Sequence, residues 1–216
     1  CVFSFYATKT CVTAEGGMIT TEDARLAERL RTMSCHGVDR DSYQRSRTAL
    51  AHYDVVDEGY KANLPDILAA LGRSQLARQD ALHAARWAIA TRYRLAFAND
   101  AGIARMQQVD DGASSAWHLF LVALNLEALT CTRDRFAEEL RTLNIATSLH
   151  YRPLHEHTYW AQLLKDGSHV RGPRAFPHAD WLYERLLSLP IFPDMTDEDV
   201  EDVIRTVQHV SKRFRR

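Results

Sequence analysis

Cysteine is scarce and scattered. The four thiols, Cys1, Cys11, Cys35 and Cys131, form no CxxC pair and no zinc-ligand spacing, so free thiols in a reducing cytoplasm are expected. Long apolar runs are missing as well. None approaches the roughly 20 residues that a membrane helix needs, and no signal peptide is visible, so no membrane partner is expected. Nor is there an excess of one charge: 27 Lys and Arg face 28 Asp and Glu, leaving a formal net charge of −1 and a pI near 6.9. That balance provides no broad basic footprint for nucleic acid. The one dense basic cluster, Lys212-Arg213-Phe214-Arg215-Arg216, closes a helical pattern, where cations suit the negative end of the dipole. Internal repeats and low-complexity segments are absent. What is present, 46% hydrophobic and 25% charged residues over 216 positions, is enough for one large domain, or for one domain and part of another.

Along the chain, residues 1–6 read as a strand. Glu15-Gly16-Gly17 reads as a turn that uses glycine's freedom at positive φ, and Met18 to Thr20 as a short second strand. A helix is expected from Thr21, with Glu22 and Asp23 in its first turn and Leu26, Ala27 and Leu30 on one buried face. The segment from Cys35 to Gly59 is polar, arginine-rich and aperiodic, too long for an ordinary connection. Pro65 suits the first turn of a helix from Asp66 to Phe97, with Leu82, Ala85, Ile89 and Tyr93 at three- and four-residue spacing. At ~1.5 Å per residue it would be about 48 Å long, enough to span two domains.

Trp117 to Val122 then reads as a strand. Thr132 caps a helix burying Phe136, Leu140 and Leu143. Ile145 to Tyr151 reads as a strand and Trp181 to Leu189 as a helix. Pro190 and Pro193 break the chain before the last helix. That helix opens on Thr196-Asp197-Glu198-Asp199 and carries the stripe Val200, Val203, Ile204, Val207 and Val210. The whole reads as α+β.

Two groups of residues could carry chemistry. Lys9 stands at the end of the first strand among Tyr6, Thr8 and Thr10. A lysine amine that is neutral part of the time attacks carbonyls, and burial or a nearby cation makes it so. A structural lysine whose stem lies along apolar surface fits the same pattern. His150, His155 and His157 cluster in sequence, but their spacing fits no zinc pattern and no cysteine lies nearby, so no metal site is expected.

Longer blocks narrow the choice. Ser4-Phe5-Tyr6-Ala7-Thr8-Lys9, followed by Glu15-Gly16-Gly17-Met18, resembles the cofactor-lysine motif of the DegT/StrS-type nucleotide-sugar aminotransferases. Further blocks follow in the family's order: His36-Gly37, Gly59-Tyr60-Lys61-Ala62-Asn63-Leu64-Pro65-Asp66-Ile67 and Trp117-His118-Leu119-Phe120. His150-Tyr151-Arg152-Pro153-Leu154-His155 and Ser188-Leu189-Pro190-Ile191-Phe192-Pro193-Asp194-Met195-Thr196 complete the set. Within the family, the Tyr60 to Asp66 and His150 to Arg152 blocks most resemble the group that makes UDP-4-amino-4-deoxy-L-arabinose.

The resemblance implies an α/β fold of the aspartate-aminotransferase type (PLP fold type I). The end of the large cofactor-binding domain would occupy 1–65, an interdomain helix 66–97, and a small α+β carboxy-terminal domain 98–216. It implies pyridoxal 5'-phosphate (PLP) as cofactor, Lys9 as the Schiff-base lysine and proton shuttle, and Ser4 as a donor to the cofactor phosphate. Lys61 falls where many relatives carry a phosphate-binding asparagine from the partner subunit, with Asn63 as its neighbour, and this implies a homodimer with shared active sites. Unassisted, Ser4 reads equally as a strand hydroxyl on backbone and Asn63 as a helix cap. His150, Tyr151 and His155 correspond to residues lining the sugar-nucleotide side of the pocket. The implied reaction moves an amine from an amino-acid donor, glutamate in the family, to a nucleotide-linked keto-sugar, for lipid A or cell-surface polysaccharide.

Some positions depart from the family pattern. Thr10 replaces an asparagine after the lysine. Ile145-Ala146-Thr147-Ser148 replaces Ile-Gly-Thr-Gly, which restricts the backbone near the sugar pocket. The chain opens on Cys1 within a strand, and the helix amino-terminus, stacking aromatic and ring-nitrogen carboxylate of the family pocket find no counterpart. A carboxy-terminal fragment, inactive alone, is therefore expected. Two other readings stay open: a degenerate dimerisation partner, and a PLP-dependent sugar dehydratase, which Lys9 disfavours because those enzymes carry histidine there.

Overall fold

The computed structural model describes residues 1–39, 52–166 and 176–216; the middle of the aperiodic segment expected from Cys35 to Gly59 lies outside the described residues. The chain divides into two units, Cys1–Asp80 and Ala81–Arg216.

In the first unit, β1 (Val2–Ser4) pairs antiparallel with β2 (Gly17–Ile19), Phe3 opposite Met18. The first strand is shorter than expected, because Phe5 already leaves the ladder to close a loop. Its N–H bonds to Gly16 O at 2.8 Å and its carbonyl accepts from Thr13 N–H at 2.8 Å. Gly16 lies at φ +149, and a Cβ there would stand 2.6 Å from Thr13 Oγ1 and 2.8 Å from Leu64 Cδ1. Only glycine closes this loop without displacing both neighbours.

Helix α1 spans Ala24–Ser34, three residues later than expected, since Asp23 is its N-cap and accepts from Arg25 and Leu26 N–H. It buries no residue. Beyond it, the chain from Tyr60 to Ala62 lies against the helix end through Tyr60 N–H to Met33 O and Ala62 N–H to Ser34 O. α2 spans Asp66–Ala77.

The single long helix expected over 66–97 is therefore two, α2 and α3 (Gln79–Phe97), separated at Arg78 (φ −103, ψ −1). There the N–H bonds back only three residues, to Gln75 O at 3.1 Å, a 3₁₀-type tightening that ends an α-helical turn.

The second unit holds a three-stranded antiparallel sheet in the order β3 (Ile103–Met106), β4 (Phe120–Leu124), β5 (Leu186–Leu189). Phe120 pairs with Leu189 and Val122 with Leu187. Against the sheet lie α3, α4 (Arg133–Thr142) and α7 (Asp197–Arg213), which bury Ile89, Tyr93, Phe97, Phe136, Leu140 and the α7 stripe in one core. Between these elements come α5 (Thr158–Asp166) and α6 (Pro177–Arg185).

Four expectations change here. Trp117 is buried but precedes β4, at φ 45, so the strand begins at Phe120. Ile145 to Tyr151 forms no strand; only Ser148 bridges to Ser188. The helix expected from Trp181 to Leu189 gives way to strand after Arg185. Leu143, expected in the core, is a C-cap residue and 42% exposed.

Candidate cofactor and substrate residues

Lys9 lies not at a buried strand end but in an exposed turn. Its N–H donates to Tyr6 O at 2.9 Å, closing Tyr6-Ala7-Thr8-Lys9 at the far side of the loop whose base Phe5, Thr13 and Gly16 pin. The base is firm because Thr13 is fully buried and its hydroxyl donates to Glu15 O at 2.7 Å. Ser4 begins the same turn, and its Oγ accepts from Tyr6 N–H at 3.4 Å. One short loop thus carries an amine and, five residues earlier, a hydroxyl, both exposed.

Lys61 and Asn63 are brought together directly: Lys61 Nζ donates to Asn63 Oδ1. Lys61 is placed by its bridge to Cys35 at the end of α1. A cleft of about 740 Å³ opens beside them, lined by Phe3, Met18, Ile19, Leu30, Asn63 and Leu64 among others. Lys9, Ser4 and Lys61 do not line it.

In the second unit, His150 and Tyr151 meet edge to face, ring centroids 4.8 Å apart. His150 Nδ1 lies 2.7 Å from Ser188 Oγ on β5, while Tyr151 is 77% exposed. His155, in a 3₁₀ turn over Leu154–Glu156, places Nε2 2.6 Å from Asp180 Oδ1 and stacks on Phe176 at 4.7 Å. No direct bond joins His150 to His155 among the described residues.

Ligand atoms of His155, Glu156 and Asp180 come within 4.8 Å of one another, a different trio from the three histidines weighed in the sequence. Its tightest pair is a direct hydrogen bond, and Glu156 also faces Arg152 at 3.4 Å. These contacts account for the cluster without an ion. Ser188 and Asp180 were not singled out as site residues. They stand 38 and 25 residues from their histidines, and only the folded chain joins them.

The profile of the DegT/DnrJ/EryC1/StrS aminotransferase family matches residues 1–208. The chain belongs to this family. It is 40% identical over 214 residues to the spore coat polysaccharide biosynthesis protein SpsC of Bacillus subtilis, covering 97% of this chain and 53% of that protein. Among solved structures, it is similar to PseC of Helicobacter pylori, an aminotransferase involved in pseudoaminic acid biosynthesis. The TM-score is 0.82 at 25% identity, over 99% of this chain and 53% of that one. It is also similar to the PMP form of a sugar aminotransferase, Spr1654, of Streptococcus pneumoniae, with TM-score 0.79 and 28% identity, over 98% and 53%. These likenesses bear out the expected fold. The chain spans about half the length of the curated relatives it matches. The narrower likeness to the arabinose group has no counterpart among the relatives named here.

Proposed function

We propose that the chain supplies the lysine side of a PLP-dependent sugar aminotransferase, in a protein of the relatives' length. What carries the reading is the family match over residues 1–208 together with an exposed amine, Lys9, on a loop pinned at its base. The donor set fits the cofactor: an amine for an aldehyde, and a hydroxyl, an ammonium and an amide for a phosphate. When bound, the cofactor supplies that aldehyde and a ring that draws electrons from the substrate carbon.

Each candidate residue has a role under this reading. Lys9 Nζ holds the cofactor and, once released, moves the proton at the substrate carbon that bears nitrogen. Ser4 Oγ–H donates to a phosphate oxygen. Lys61 offers a point charge, and its bond to Asn63 Oδ1 leaves the Asn63 amide N–H groups for the same anion. If Lys61 and Asn63 serve a neighbouring subunit's cofactor, the working form is a homodimer. His150, Tyr151 and His155 bind the nucleotide-linked keto-sugar, with glutamate as the amine donor and an amino-sugar for a surface polysaccharide as product.

Borohydride reduction of the protein of the relatives' length in the presence of pyridoxal phosphate, followed by peptide mapping, tests this. Within the present chain the candidate lysines are Lys9, Lys61, Lys165 and Lys212, which the mapping separates. A pyridoxyl adduct on Lys9, lost in Lys9→Ala, is expected. Labelling spread over the other three, or none on folded protein, overturns the assignment.

A further inference from the structure

Ser188 lies within β5, 5% exposed, and grips the His150 segment twice. Its backbone exchanges a pair of hydrogen bonds with Ser148, at 3.1 and 2.9 Å, and its hydroxyl meets His150 Nδ1 at 2.7 Å. A hydroxyl has one proton to give, and buried polar groups are paired. Among the described residues Ser188 Oγ has no other hydrogen-bond partner. If Nδ1–H donated to Oγ, the hydroxyl proton would be stranded in a buried place, with its desolvation left uncompensated. With Oγ–H donating to a bare Nδ1, both groups are satisfied.

The proton of the neutral ring then sits on Nε2. That nitrogen makes no hydrogen bond among the described residues, and His150 is only half-buried. The Tyr151 ring set edge-on at 4.8 Å limits rotation from another side. A ring held this way is a hydrogen-bond donor, suited to a group that can only accept.

We propose that Ser188 is a positioning residue: it fixes His150 as the Nε2–H tautomer and so directs a donor at a phosphate oxygen of the nucleotide-linked substrate. Phosphate fits because it offers only acceptors. The ligand half of the proposal rests on the reading of His150 as a substrate contact; the tautomer half does not.

Long-range nitrogen–proton correlation on histidine-labelled protein tests the tautomer, at a pH about two units above the ordinary imidazole range, with His150→Gln to assign the signal. Wild type is expected to show Nε2–H, Ser188→Ala a mixture of tautomers, and Ser188→Thr a return to Nε2–H. Nδ1–H in wild type, or an unchanged pattern in folded Ser188→Ala, overturns Ser188's role. Titration with UDP and with uridine tests the ligand. Ser188→Ala is expected to weaken UDP about fivefold and leave uridine unchanged. Equal losses for both, or no loss for UDP in either Ser188→Ala or His150→Gln, overturn the phosphate contact even where the tautomer result stands.

Discussion

Two side chains of α3 reach across the second unit to backbone carbonyls. Arg86 Nη1 donates to Ile191 O at 2.8 Å and to Trp117 O at 3.3 Å, and burial pulls its guanidinium below the usual arginine range. Tyr93, fully buried, donates its hydroxyl to Pro190 O at 2.9 Å. Both tie α3 to the chain just after β5, where Pro190 and Pro193 leave fewer N–H groups for ladder pairing. Burial also pushes the Tyr93 phenol well above its ordinary value. The sign follows from proton linkage. Above a pH of about 10 the unfolded phenol gives up its proton while the folded one keeps it, so Tyr93's stabilisation is complete below that pH and is lost above it. Tyr93→Phe should cost about 1 kcal/mol at neutral pH, and its deficit relative to wild type should shrink as pH rises past ~10. All four tryptophans, Trp87, Trp117, Trp160 and Trp181, lie in the second unit, so urea titrations followed by fluorescence read this directly. A deficit that stays constant with pH would refute the buried-phenol account.

At the scale of elements, legibility followed local chemistry. α7 was readable at both ends: its apolar stripe is the one buried, and its opening residues form a reciprocal cap. Thr196 Oγ1 accepts from Asp199 N–H at 3.1 Å, and Asp199 Oδ2 accepts from Thr196 N–H at 2.8 Å. Thr132 caps α4 in one direction only, its Oγ1 accepting from Arg135 N–H at 3.3 Å. β5 was misread because Leu186-Leu187-Ser188-Leu189 continues an apolar run out of a helix, and periodicity cannot separate a short buried strand from a helix end. Trp117 resisted for a different reason: its burial comes from edge contact with Trp87 and stacking on Phe120, not from membership of a strand. The candidate site was legible only through resemblance. Spacing alone left Lys9 between chemistry and packing, and nothing local points from His150 to Ser188.

The α7 cap yields its own expectation. Bonds from the Thr196 side chain and backbone hold the Asp199 carboxyl below the usual range, so its contribution is present above that range and disappears as pH falls through the depressed value. Thr196→Ala should lower stability by about 1 kcal/mol. The gap between wild type and Asp199→Asn should close on acidification; a gap that widens toward low pH would reverse the assigned sign.

Across the whole molecule, burial is uneven. Every buried apolar side chain among the described residues falls in Ala81–Arg216. Among the described residues of Cys1–Asp80 only Thr13 and Gly37 are buried, while Val2, Phe3, Met18, Ile19 and Ile67 are exposed. A two-stranded sheet without a covered face is marginal in water, whereas the three-stranded sheet packs against helices on a continuous core. Apolar burial at roughly 25 cal/mol per Å² therefore favours the second unit strongly, and the backbone bonds of the first have little packing behind them. Opening free energies within one chain differ in this way when core contacts are unevenly shared. Hydrogen exchange read by mass spectrometry should find the amides of Phe120–Leu124 and of mid-α7 among the slowest in the chain. Those of Val2–Ser4 and Gly17–Ile19 should exchange early, despite being drawn as a regular ladder. Equal protection in the two sheets would mean that the apolar face of β1 and β2 is covered, most directly by a second copy of this chain, and a fall in that protection on dilution would identify self-association as the cause.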